Sequence, residues 1–175
     1  MRNKRATSSG QSGMSLLEMV LASAILMVGI LSVVQLVPAT LQSDLRNRLD
    51  TIATVIAQRE LDQMLSQPLN LSPPSFQDAD GNTISLGGAG SPGAPVKMYG
   101  STAVIDFAAA PVPGFNIPAS KDPNDPTGAS FELRWAVIPQ TINGIVVGKR
   151  IIIGCRQTNA SQPMLPVNLD SSVQK

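Results

Sequence analysis

The sequence predicts an α+β fold: a long N-terminal helix, first transmembrane in character and then amphipathic, packed on a small antiparallel β-sheet head. Three patterns carry this expectation. Residues 14–37 are almost wholly apolar. An apolar stripe then recurs at helical spacing through Leu41, Leu45, Leu49, Ile52 and Ile56. Finally, residues 131–155 hold two β-patterned runs around Asn143-Gly144.

The chain of 175 residues suits one modest domain plus an anchor. Residues 1–13 are polar and basic, with Arg2, Lys4 and Arg5 and no acid. The span of 14–37 carries one charge, Glu18, and one side-chain amide, Gln35. At ~1.5 Å per residue its helix is about 36 Å long, enough to cross a hydrocarbon core of about 30 Å. Helix is the state that satisfies every backbone group of a lone span in lipid. The run is too long for a cleaved secretory signal, and its A-x-A match, Ala22-Ser23-Ala24, lies in its middle. The basic start keeps the N-terminus cytoplasmic and places the rest outside.

Residues 38–67 read as the amphipathic half of the same stem. Ala57, Leu61 and Leu65 extend the stripe with a slight offset. Asp44, Arg46, Arg48, Asp50, Arg59, Glu60 and Asp62 are expected on the solvated side. Pro68 ends the pattern, so the stem covers roughly 15–66, near 80 Å of helix at ~1.5 Å per residue. Pro38 lacks an N–H and crowds the carbonyl of Val34, so a kink or loosening is expected there. Gly29 is a second weak point.

The head is expected over 68–156. Residues 68–95 are loop by composition, and 96–107 carry strand signals. Residues 108–130 read as an irregular connection. Phe131, Leu133, Trp135 and Val137 alternate with Glu132, Arg134 and Ala136, the pattern of a half-buried strand. Residues 145–155 are its hairpin partner across the Asn143-Gly144 turn. Residues 157–175 read as a polar, mobile tail.

Composition excludes several functions. The net charge is +1, and without the basic start acids outnumber bases by two, so no nucleic-acid surface is expected. The chain has no histidine and a single cysteine, Cys155. General-base chemistry by histidine, a thiolate zinc site and an intramolecular disulfide are thereby removed. No nucleophile motif is present, so no catalytic residue and no cofactor is expected. Cys155 reads as a small buried apolar residue of a strand.

The informative motif is Gly13-Met14-Ser15-Leu16-Leu17-Glu18, between the basic start and the apolar span. It resembles the class III signal of type IV prepilins and type II secretion pseudopilins. The resemblance covers about six residues in the motif and 1–67 in layout. It implies that residues 1–13 are a leader cut after Gly13 by a prepilin peptidase. The same enzyme would N-methylate Met14, and Glu18 would be the glutamate at the fifth mature position. Met-Ser-Leu-Leu-Glu is similar to the start of minor subunits, of the PilV type in pili or the I type in pseudopili. The implied function is a subunit that primes, caps or modifies a filament. Its partners are other pilins or pseudopilins through the N-terminal helix, and inner-membrane lipid. The implied location is the bacterial inner membrane, single-pass with a periplasmic head, and then the pilus or pseudopilus. Pro38 lies a few residues later than the family's stem proline, and the missing disulfide speaks for a minor subunit.

Elementary electrostatics supports a role for Glu18. A carboxylate four residues into a span costs a few kcal/mol on insertion scales, so a cationic partner is expected at its depth. The amine created at Met14, on a neighbouring subunit, is that partner. The plainer reading is a flank residue that snorkels to the headgroups. A membrane-anchored periplasmic binding module with no filament role is the alternative function; it needs neither Gly13 nor Glu18. Asp78-Ala79-Asp80-Gly81-Asn82 resembles the opening of a calcium loop without its closing glutamate. A polar turn is the plainer reading, with Asp78 and Asp80 as the calcium candidates. Lys121–Gly128 has the same two readings.

Overall fold

The computed structural model describes residues 15–87, 92–122, 125, 127–159 and 165–174. The chain divides into two units, residues 1–46 and 47–175. The fold is α+β, with helix α1 (Leu16–Ser66) and eight strands among the described residues.

In the first unit the described residues form the N-terminal part of α1, and all are solvent-exposed. Helix assignment runs unbroken through Pro38. Pro38 has no N–H for the Val34 carbonyl. Just beyond it the Thr40 hydroxyl donates to the carbonyls of Val37 at 2.8 Å and Leu36 at 3.3 Å.

In the second unit α1 ends at Ser66, as Pro68 demands. Its buried residues are Ile52, Ala53, Ile56, Ala57, Glu60, Leu61 and Met64. They lie on one side of the helix because they repeat every three or four residues. Among them, Glu60 departs from the solvated side expected of it. It follows Ile52 and Ile56 at intervals of four and so shares their buried stripe.

The main sheet has the order β5-β6-β7-β8: β5 (Asn116–Ser120), β6 (Phe131–Ile142), β7 (Ile145–Gln157) and β8 (Val167–Gln174), all antiparallel. The hairpin β6–β7 turns at Asn143 (φ 52°) and Gly144 (φ 78°), the left-handed pair that a type I′ turn requires. Phe131, Leu133, Trp135, Val137, Ile151, Ile153 and Cys155 share one core with Ile52, Ile56, Leu61 and Met64 of α1. The Trp135 indole N–H donates to the Ser85 carbonyl at 2.8 Å.

Residues 131–137 are not half-buried; every one of them is buried. The second face of β6 and β7 is covered by the hairpin of β3 (Val96–Tyr99) and β4 (Thr102–Ile105). There Ala103, Ile105 and Phe107 pack with Ala136 and Ile152. Gly154 permits this approach: a Cβ on it would lie 2.8 Å from a Phe107 ring carbon and 2.9 Å from Ile105 Cβ.

Three segments expected to be irregular contribute to the sheets. β1 (Ser75–Gln77) and β2 (Thr83–Ser85) form a small hairpin within 68–95. β5 lies within 108–130. The expected polar tail supplies β8, which pairs with β7 from Gly148↔Gln174 to Cys155↔Val167. These strands are short or polar because a backbone ladder, not an apolar alternation, holds them. The end of the 68–95 segment also docks on β6. The Ala94 N–H donates to the Trp135 carbonyl at 2.8 Å, and the Val137 N–H donates to the Pro92 carbonyl at 2.6 Å. Gly93 (φ 102°) sits so close that a Cβ would lie 2.6 Å from the Phe115 ring.

Cys155 is 1% exposed, and burial pushes its thiol up to about 12. Thiolate is the reactive form, so the folded protein is expected to resist maleimide or iodoacetamide at neutral pH. Denaturant should release one labelled thiol per chain. Rapid labelling of the folded protein would place Cys155 outside the core.

Candidate functional site

Gly13 and Met14 lie outside the described residues. The described chain begins with Ser15, which caps α1. The Glu18 N–H donates to the Ser15 hydroxyl at 3.2 Å and to the Ser15 carbonyl at 3.0 Å; the Met19 N–H donates to the same carbonyl at 3.1 Å. Ser15-Leu16-Leu17-Glu18 has the spacing of a capping box, in which the acid three residues on complements the helix start. Glu18 therefore sits in the first turn, where the helix dipole favours a negative charge. The capping relation is new, and its signal was the S-x-x-E spacing.

From Leu16 to Val37 the exposed helix surface is apolar apart from Glu18, Gln35 and two serines. Leu16, Leu17, Met19, Val20, Leu21, Ile25, Leu26 and the residues through Val37 are more than half exposed where they are large and apolar. Its hydroxyls are turned inward onto the helix backbone. Ser23 donates to the Val20 carbonyl at 2.8 Å, and Ser32 to the Val28 carbonyl at 2.8 Å. Such internal pairing removes polar demand from the surface and fits an apolar environment. α1 is the one helix among the described residues long and apolar enough to cross a membrane.

In the second unit the residues of chemical interest are acidic. Asp78 and Asp80 lie in the β1–β2 turn. Asp78 accepts from the N–H groups of Asp80 (2.9 Å) and Asn82 (2.7 Å) and from the Asn82 side-chain amide (2.7 Å). Gly81 completes the turn at φ 81°. The expected polar turn is therefore present, and it comes close to α1. Glu60, Asp78 and Asp80 each place a carboxylate oxygen within 4.8 Å of the others. Arg59 bridges part of the group, its guanidinium lying 2.8 Å from Glu60 Oε1 and 2.5 Å from Asp80 Oδ2. Burial pushes the Glu60 carboxyl above its ordinary range. Arg59 pulls it down, and Asp78 and Asp80 add weakly to the rise. Glu60 was missed in the sequence because it was assigned by charge; its i+4 spacing from Ile52 and Ile56 was the available signal.

The other acidic turn is already satisfied. Asp125 pairs with Arg48 at 3.3 Å and accepts from the Thr127 hydroxyl and the Thr127 and Ala129 N–H groups. The Thr127 hydroxyl leads the interactions that hold its carboxyl below the usual range. The Asp125 carboxylate is thus satisfied by described neighbours, while residues 123, 124 and 126 of Lys121–Gly128 lie outside the described residues.

A third charged group lies under the β3–β4 hairpin. Glu132 Oε1 accepts from Arg134 at 2.7 Å, and Oε2 from Arg156 at 2.6 Å. Arg134 also donates to the Ala109 carbonyl at 2.6 Å. The two guanidiniums lie 5.1 and 4.8 Å from the centroid of the Phe107 ring. Each charge has its partner, and the group ties the segment after β4, at Phe107 and Ala109, to the sheet.

No family model, curated protein or solved structure matches the chain. The class that the architecture defines is an α+β protein with one helix suited to a membrane.

Proposed function

We propose that this chain is a minor subunit of a type IV pilus or a type II secretion pseudopilus. A prepilin peptidase removes residues 1–13 and methylates Met14. The mature chain sits in the bacterial inner membrane with its head in the periplasm, and then leaves the bilayer for a filament. It carries out no chemistry of its own; it primes, caps or modifies the filament.

The observation that supports this reading best is the placement of Glu18. A single carboxylate sits in the first turn of a helix whose next stretch, through Val37, is almost wholly apolar and exposed. A lone acid in an apolar span is stabilised by a cation, and cutting after Gly13 generates one near the same end of the helix. The amine of Met14 on one subunit pairs with Glu18 of another. That pairing sets the axial register between stems while apolar side chains and small residues such as Ala22, Ala24 and Gly29 pack between them. Ser15 holds the first turn, so Glu18 is presented in a fixed position rather than on a frayed end. The N-terminal peptide of the mature protein, recovered from cells with and without the leader peptidase, tests the proposal; N-methylated Met14 is the expected terminus.

A further inference from the structure

The group at the end of the stem helix is built differently from the other charged groups of the head. Glu60 arrives from α1 and Asp78 and Asp80 from the β1–β2 turn, with one oxygen of each within 4.8 Å of the others. Ca²⁺ holds oxygen ligands at ~2.3–2.6 Å, so two of its ligands lie at most about 4.6–5.2 Å apart. The three carboxylates already fall inside that span. Glu60 supplies the independent observation. Its side chain is 1% exposed, and its Oε2 has no hydrogen-bond partner. A buried carboxylate oxygen left unpaired is costly, and a cation is the partner that three converging carboxylates select.

Arg59 does not fill that role. Its guanidinium meets Glu60 Oε1 and Asp80 Oδ2, and Glu60 Oε2 is left over. Its side chain is 42% exposed, so it is free to turn outward into solvent. Asp78 already accepts three N–H bonds, yet a carboxylate offers about four acceptor positions and keeps one for a metal.

We infer that Glu60, Asp78 and Asp80 form a binding site for a hard divalent cation, for which Ca²⁺ is the matching probe, and that the cation displaces Arg59. Binding ties the β1–β2 turn to the stem helix and so fixes the junction of helix and head. The inference does not rest on the filament reading and holds for any role of the chain.

The test uses the full chain in detergent micelles at constant ionic strength. Calcium at millimolar concentration is expected to raise the thermal midpoint by about 3–6 °C over the EDTA-treated protein. Asp80→Asn, at a half-exposed turn position where the fold tolerates change, should lose most of that shift. Arg59→Gln removes the competitor and should respond more strongly than the wild type. An unchanged midpoint in the wild type overturns the inference. So does an equal calcium shift in wild type and Asp80→Asn, which would locate the effect elsewhere on the chain.

Discussion

Glu18→Ala is expected to abolish entry of this chain into filaments while leaving its membrane insertion intact. The two effects separate because they depend on different terms. Insertion follows apolar surface, and removing a carboxylate from the span makes insertion easier by a few kcal/mol. In the proposed function, assembly depends on the pairing of that carboxylate with the amine of Met14. Breaking a buried ion pair from one side costs about 3–5 kcal/mol, which corresponds to a loss of incorporation of roughly 100-fold or more. The chain should therefore accumulate in the membrane fraction and disappear from sheared filaments, as read by immunoblot of both. Glu18→Gln separates charge from helix capping. Glutamine keeps the hydrogen-bonding capacity that a capping box needs and has no charge. It is expected to fail in assembly as alanine does. Normal incorporation of Glu18→Gln would make Glu18 a capping residue and remove the ion pair from the mechanism.

Glu132→Ala should be among the most damaging substitutions in the head. Glu132 satisfies Arg134, whose side chain is 5% exposed, and reaches Arg156 with its other oxygen. Its loss leaves a buried guanidinium with the Ala109 carbonyl and the Phe107 ring alone. The expected destabilisation is about 3–5 kcal/mol, most of it the penalty of the stranded Arg134 rather than the worth of the pair. The Arg150–Asp170 pair is the control. It is equally close, at 2.5 Å, but its side chains are 40% and 36% exposed. Asp170→Ala is expected to cost less than about 1 kcal/mol. Urea unfolding followed by Trp135 fluorescence measures both. Equal losses at the two sites would mean that burial does not set the value of these ion pairs.

The elements legible in the sequence are those set by local rules. The stem was readable because apolar positions recur at helical spacing and Pro68 stops them. The β6–β7 hairpin was readable because Asn143-Gly144 takes the positive φ values that few other pairs accept. What escaped is set by long-range pairing. β8 carries a polar sequence whose backbone, rather than its side chains, completes the sheet beside β7. β5 and the stretch Pro92–Ala94 line the other edge of β6 for the same reason. The alternation of residues 131–137 suggests one solvent face, because Glu132 and Arg134 are charged. The β3–β4 hairpin covers that face, and Phe107 accommodates the guanidiniums.

The candidate sites divide along the same line. Glu18 stands out as a candidate in the sequence because it is a lone acid in an apolar helix. Asp78 and Asp80 were legible as an acidic turn, but their meeting with Glu60 was not. That contact joins α1 to the β1–β2 turn, and its one sequence signal is the i+4 spacing that puts Glu60 on the stripe of Ile52 and Ile56.

The central claim is that Glu18 meets an amine made by cleavage after Gly13. Mass spectrometry of the N-terminal peptide, from cells with an active prepilin peptidase, tests it most directly. The account predicts a chain that starts at Met14 and carries one added methyl group on its amine. A membrane-bound or secreted form that still begins at Met1 would contradict it.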